Sequence, residues 1–89
     1  MRIVWDEAKR RLNVRKHVLD FADAEHVFSG PTHTFEDTRF NYGERRFVTL
    51  GLLQDVVVTI VHTESRDELR IISMRKATRN EQAIFFENS

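Results

Sequence analysis

From residue 45 to residue 75 the chain is patterned almost entirely for strands. "RRFVTLGLL", "VVVTIVHT" and "ELRIISMR" are β-branched and aromatic runs, separated only by "QD" and "ESRD". Connectors this short reverse the chain, so neighbouring strands pair antiparallel. "VVVTIVHT" carries the strongest strand pattern, and "QD" reads as a two-residue turn. Upstream, "THTFED" adds a strand and "TRFNYGE" a loop in which Asn41 and Gly43 are the turn residues.

Helical signals flank this block. "RIVW" is a short strand, after which Asp6 caps a helix with Glu7 in its first turn. Ala8 and Leu12 lie four apart and give that helix a narrow apolar stripe, leaving Lys9, Arg10 and Arg11 outside it. The helix is expected to end near Lys16. Asp20 caps a second helix whose Phe21, Ala24, Val27 and Phe28 face the core, with Leu19 stapled onto Ala24. Gly30, in the left-handed region, and Pro31 stop it. Thr78 and Glu81 form a capping box that opens a last helix, "RNEQAIFFE". Strands run together rather than alternating with helices, so the class is α+β. The expected architecture is a mainly antiparallel sheet of about four strands, two N-terminal helices and a C-terminal helix. Eighty-nine residues make one domain, 1–89.

Charge adds the first functional hint. The net charge is zero, yet residues 1–17 hold six cations against two acids, residues 20–44 one cation against six acids, and residues 70–79 four cations and no acid. If the two basic segments meet, they form an anion-binding surface, for which phosphate is the natural ligand; solvated faces give the same pattern. No apolar run reaches the roughly 20 residues of a membrane span. "MRIVWDEAKR" has no signal-peptide apolar region, so a cytoplasmic location is expected. Zero cysteines exclude disulfides and thiolate metal sites.

Three places could carry chemistry. Arg15, Lys16 and His17 end the first helix, where cations suit the C-terminal dipole. The same dipole favours the protonated imidazole that a general acid needs. In "RIISMRKATR", Arg70 and Arg75 bracket a strand, with Arg79 beyond them, and arginine's planar fork matches phosphate oxygens. Strict alternation puts Arg70, Ile72 and Met74 on one face and Leu69, Ile71, Ser73 and Arg75 on the other. A structural ion pair of Arg75 with Glu44 or Glu81 is the competing reading. In "GERRF", Glu44 could act as a base, orient an arginine, or form a rim ion pair of little energetic weight. His26, His33 and His62 lack metal-ligand spacing with nearby acids, so no metal is expected. There is no Gly-rich phosphate loop and no nucleophilic cysteine. Trp5 and Tyr42 are too far apart in sequence to suggest a base-stacking platform.

Taken in order, Trp5-Asp6, Lys9, Asn13, Lys16-His17, Phe21, Glu44-Arg45, Thr63, Arg70-Ile71-Ile72-Ser73, Arg75, Ala77 and Glu81 resemble the BrnT family of toxins from bacterial type II toxin–antitoxin systems. The resemblance runs nearly end to end and is weakest from Pro31 to Tyr42. It implies a RelE-like fold and a small ribonuclease that needs no cofactor. Cleavage would proceed by attack of the substrate's 2′-hydroxyl without metal. Lys16, His17, Glu44, Arg70 and Arg75 would form the catalytic set: the arginines and Lys16 on phosphate, His17 as acid, Glu44 as base. Lys9, Arg45 and Arg79 would contact RNA. It also implies a BrnA-like antitoxin with a ribbon-helix-helix segment, through which alone the complex would touch DNA. The alternative is a toxin fold that has lost activity and serves as an antitoxin-binding corepressor. The chain departs from the family pattern at three places. Val18 stands where glycine is usual, Met74 where alanine is usual, and Phe85 or Phe86 where a tyrosine is usual. A β-branched residue does not readily take a left-handed backbone, so the turn after His17 is expected to differ. Loss of the tyrosine hydroxyl would remove a substrate contact.

Overall fold

The computed structural model describes residues 1–88. The elements are β1 (Arg2–Trp5), α1 (Glu7–His17), a 3-10 turn (Phe21–Asp23), α2 (Ala24–Phe28), β2 (Thr32–Asp37), β3 (Arg46–Leu53), β4 (Val56–Glu64), β5 (Glu68–Lys76) and α3 (Arg79–Glu87). The α+β class holds, but the sheet is five-stranded and mixed, in the order β1-β5-β4-β3-β2. The fifth strand is β1, which lies parallel to β5 with Ile3 opposite Leu69 and Trp5 opposite Ile71. That pairing joins the two ends of the chain, so no short connector announces it.

Local signals act where the sequence places them. The Asp6 side chain accepts from the Lys9 amide at 3.0 Å. Gln54 and Asp55 both take positive φ, 49° and 66°, as a two-residue turn matched to strand twist requires. Asn41 accepts from the amide of Gly43, whose φ of 76° suits glycine. The Thr78–Glu81 capping box is complete. The second helix is shorter than expected, a 3-10 turn plus five residues of α2. Gly30 does not supply a left-handed residue: α2 ends on Ser29 in right-handed conformation.

Each sheet face has its own core. One packs Phe21, Ala24 and Val27 against Val58, Ile60, Leu69, Ile71 and Met74. The other packs Ala77 and Phe85 against Val48, Leu50 and Val57. Each fully buried side chain of this size contributes roughly 1.5–3 kcal/mol. Gly51 lets β3 approach α2, since a Cβ there would lie 2.5 Å from a Val27 methyl.

The inward face of α1 is not the one expected. Ala8 is exposed and Leu12 is 61% exposed, whereas Asn13 is the only buried residue of the helix. The turned-in positions are Arg10, Asn13, Val14 and His17, spaced three and four apart. The reason lies in β5. β1 stops opposite Ile71 and leaves the rest of that strand edge open. The Asn13 amide donates to Met74 O at 2.8 Å and accepts from Met74 N at 3.1 Å, pairing that edge as a strand would. It also donates to Leu19 O at 2.9 Å, so one side chain ties α1, the following turn and the sheet together. No helix among the described residues is long and apolar enough to cross a membrane.

Candidate active site

Arg15, Lys16 and His17 occupy the last turn of α1, and the chain then reverses at Val18. Val18 keeps the left-handed turn, with φ 59° and ψ 24° and its amide bonded to Val14 O at 2.9 Å. The expectation that valine would alter this turn is therefore corrected: the geometry is retained and valine bears the strain. Its side chain is 83% exposed, so burial does not offset that cost. Val18→Gly is expected to stabilise the fold by about 1 kcal/mol and raise the melting temperature by about 4–8 °C, as read in a thermal melt.

The turn sets Lys16 and His17 beside β5. Together with Arg75 and Lys76 they line one hollow. A groove continues along α1, with Lys9, Arg15, Lys16 and His17 on one side and Ile72 and Ser73 on the other. The two basic segments of the sequence thus meet in space.

The strand arginines also come together, for a reason strict alternation misses. Thr63 lies opposite Arg70, Val61 opposite Ser73 and Thr59 opposite Arg75, while the register skips Ile72. Residues 59, 61 and 63 share one face of β4, so Arg70, Ser73 and Arg75 share one face of β5. The bulge overturns the assignment of Arg70 and Arg75 to opposite faces. Met74 turns into the other core, fully buried.

Arg75 forms a two-pronged pair with Glu81, 2.7 Å from Nη1 to Oε1 and 3.0 Å from Nη2 to Oε2. About a third of its side chain stays exposed to the hollow, 34%. Glu81 also accepts from Thr59 Oγ1 at 3.0 Å and from the Thr78 amide at 2.9 Å. Burial alone would raise its carboxyl; Arg75, Thr78 and Thr59 outweigh burial and hold it at about 2, below the ordinary 4.5. The lowered group makes its full stabilising contribution above about pH 4.5 and loses it as pH falls towards 2. The contribution is on the order of 2 kcal/mol. Urea midpoints measured from pH 7 to pH 2 should show this acid loss, and Glu81→Gln should be weaker at pH 7 with a flatter acid limb.

Glu44 lies further along the same face. It accepts from Arg70 at 3.2 Å and sits 3.7 Å from Arg46, and it lines a second hollow with Arg45, Thr63 and Arg70. Arg45 pairs with Glu36 at 2.9 Å rather than with its neighbour. Arg79 opens α3 and is exposed, whereas Arg75 lies in β5. Phe85 is buried in the second core, while Phe86 is 61% exposed. Among the described residues no three His, Asp or Glu side chains group as metal ligands.

Sequence reasoning missed four contributors. Asn13 appeared only as one member of a family pattern. Lys76 lines the hollow and Ser73 the groove; alternation puts Ser73 on the face of Arg75, as the register has it, but not at a groove beside α1. Arg39 lies near enough for its charge to act on Arg75. His62, by contrast, is wholly buried between Phe28 and Phe47, bonded through Nε2 to Thr49 Oγ1 at 2.7 Å. Burial lowers it to about 4, and it belongs to the core.

Comparison with known proteins gives one family. A family model described as the ribonuclease toxin BrnT of type II toxin–antitoxin systems matches residues 5–81. The chain is also similar to the crystal structure of the ribonuclease toxin BrnT of Brucella abortus. The two share 30% identity with a TM-score of 0.71, over 89% of this chain and 99% of that one. No curated protein matches the chain significantly.

Proposed function

The chain belongs to the BrnT family of ribonuclease toxins of type II toxin–antitoxin systems, and from that premise we propose that it cuts RNA through the substrate's own 2′-hydroxyl, with no metal ion. The 2′-oxygen attacks the adjacent phosphorus and the bond to the 5′-oxygen breaks. The products are a 2′,3′-cyclic phosphate and a 5′-hydroxyl end. Such a reaction needs a base, an acid and cations that hold the dianionic phosphorane more tightly than the diester.

The observation that supports this reading most is the convergence of Lys16, His17, Arg75 and Lys76 on one hollow. Arg75, aimed by Glu81, would hold the phosphorane, with Lys16 sharing its charge. His17 would protonate the leaving 5′-oxygen. Arg70 lies five residues along the strand, about 15 Å at ordinary strand rise. That distance suits a neighbouring phosphate, or the same one if both side chains lean inward. Glu44 is the proposed base, but it lies with Arg70 in the second hollow and not in the one that His17 and Arg75 line. It reaches the 2′-hydroxyl at the cleaved linkage only if Arg70 and Arg75 hold the same phosphate; otherwise its bond to Arg70 makes it an orienting group. A base is lost in Glu44→Gln together with the acid limb of the pH–rate profile, whereas an orienting role lowers the rate at every pH alike. Lys9, Arg45 and Arg79 would contact the flanking RNA.

A type II toxin works against a protein antitoxin. We assign that role to a BrnA-like protein with a ribbon-helix-helix segment, whose toxin-binding stretch should be acidic to cover the basic hollow. The corepressor alternative drew on Val18 and on the missing tyrosine; the left-handed turn at Val18 weakens the first ground and leaves the second standing. Product-end mapping tests the chemistry. A 2′,3′-cyclic phosphate is expected, and a 3′-hydroxyl with a 5′-phosphate would overturn it.

A further inference from the structure

The loop between β2 and β3 carries a feature that the catalytic set does not use. Phe35 lies opposite Val48, Val48 opposite Val61, and Val61 opposite Ser73, a single row on one face. Asp37, two residues beyond Phe35, therefore faces the same side as Arg70, Ser73 and Arg75. Asp37 is buried and organises the loop. Arg39 bonds both its oxygens, Nε to Oδ1 at 3.0 Å and Nη2 to Oδ2 at 3.1 Å, and the Tyr42 hydroxyl donates to Oδ2 at 3.0 Å.

On this fixed loop Phe40 is 65% exposed. Its ring meets Tyr42 edge-on, with centroids 5.8 Å apart at 71°. The Arg39 guanidinium lies 5.7 Å from the Phe40 centroid, and that of Arg46 lies 4.0 Å over Tyr42. Tyr42 is thus occupied by Arg46, while Phe40 keeps most of its surface open. Two aromatic rings interleaved with two arginines, on the face that carries Arg75, match the chemistry of an unstacked nucleobase beside a phosphate chain. Trp5, the other aromatic considered from sequence, packs edge-on against buried Phe21 instead.

We propose that Phe40, flanked by Arg39, is the stacking platform for an unpaired base of the RNA beyond the two nucleotides that flank the cleaved linkage. The proposal rests on the RNA-cleaving function above. Stacking uses the π-face that every base has, so the platform selects single-stranded over duplex RNA without reading a particular base.

The test compares wild type with Phe40→Ala, Phe40→Leu and Phe40→Trp on a single-stranded RNA oligomer and on a dinucleotide. Stacking is worth about 1–3 kcal/mol per base, so Ala and Leu should lower kcat/KM on the oligomer by about 5- to 150-fold, mainly through KM. Trp should retain it, and dinucleotide cleavage should be unchanged in all three. Leu keeps the apolar bulk without the π-face, which separates stacking from simple packing. In parallel, Phe40→Trp is titrated with a 2′-deoxy oligomer that cannot be cut, and its fluorescence should be quenched relative to a wild-type control carrying Trp5 alone. Oligomer cleavage unchanged in Ala and Leu overturns the platform and leaves the ribonuclease reading standing. Quenching without any RNA cleavage by wild type keeps the platform and overturns the ribonuclease reading. Neither cleavage nor quenching overturns both.

Discussion

Arg75→Ala should lower single-turnover RNA cleavage by about 10²–10³-fold, the usual cost of removing one donor aimed at developing charge. The expectation follows from where Arg75 sits: on the sheet face it shares with Arg70, against the end of α1, and locked by a two-pronged pair with Glu81. Locking matters because a pre-aimed guanidinium need not reorganise when the phosphorane forms. Arg75→Lys should recover only part of the rate, since an ammonium cannot grip Glu81 and phosphate oxygens in one plane. Both variants leave Glu81 short of a partner, so a melt must accompany the kinetics. A folded Arg75→Ala protein with full activity would reduce Arg75 to a structural role.

Asn13→Ala should cost about 2–4 kcal/mol of stability and lower the melting temperature by roughly 10–20 °C. Three hydrogen bonds disappear, and the Met74 amide and carbonyl lose their partner. Faster hydrogen exchange at the Met74 amide is the local signature. Cleavage should fall as well, because Asn13 holds the helix that carries Lys16 and His17. Asn13→Asp is the sharper variant. It preserves the acceptor for Met74 N–H but cannot donate to Met74 O or Leu19 O, so its loss should be intermediate unless the buried charge dominates.

What the sequence disclosed was local. Asp6, the Gln54–Asp55 turn and the Thr78–Glu81 capping box each act within a few residues, and each is where the pattern put it. Burial of Phe21, Ala24 and Val27 followed from helical spacing. What stayed hidden depends on partners distant in the chain. β1 pairs with β5 across more than sixty residues. The skipped Ile72 reverses the facing of β5, and no single-strand pattern marks a bulge. The inward face of α1 is polar because a strand edge, not an apolar core, receives it. Likewise Phe40 and Tyr42 look isolated until Asp37 gathers the loop around them. The two basic segments were visible as charge, and the family resemblance placed them in one site before the fold did. Glu44 shows the limit of that transfer: its pairing with Arg70 and Arg46 leaves its role to kinetics.

The most direct measurement is cleavage of single-stranded RNA by purified, antitoxin-free protein in excess EDTA, beside His17→Ala. Undiminished cutting by wild type, with 2′,3′-cyclic phosphate ends and a large loss in the variant, is the result expected of a side-chain acid and cationic hollow. Cleavage that vanishes with EDTA and returns with a divalent metal, or that His17→Ala leaves intact, would contradict it.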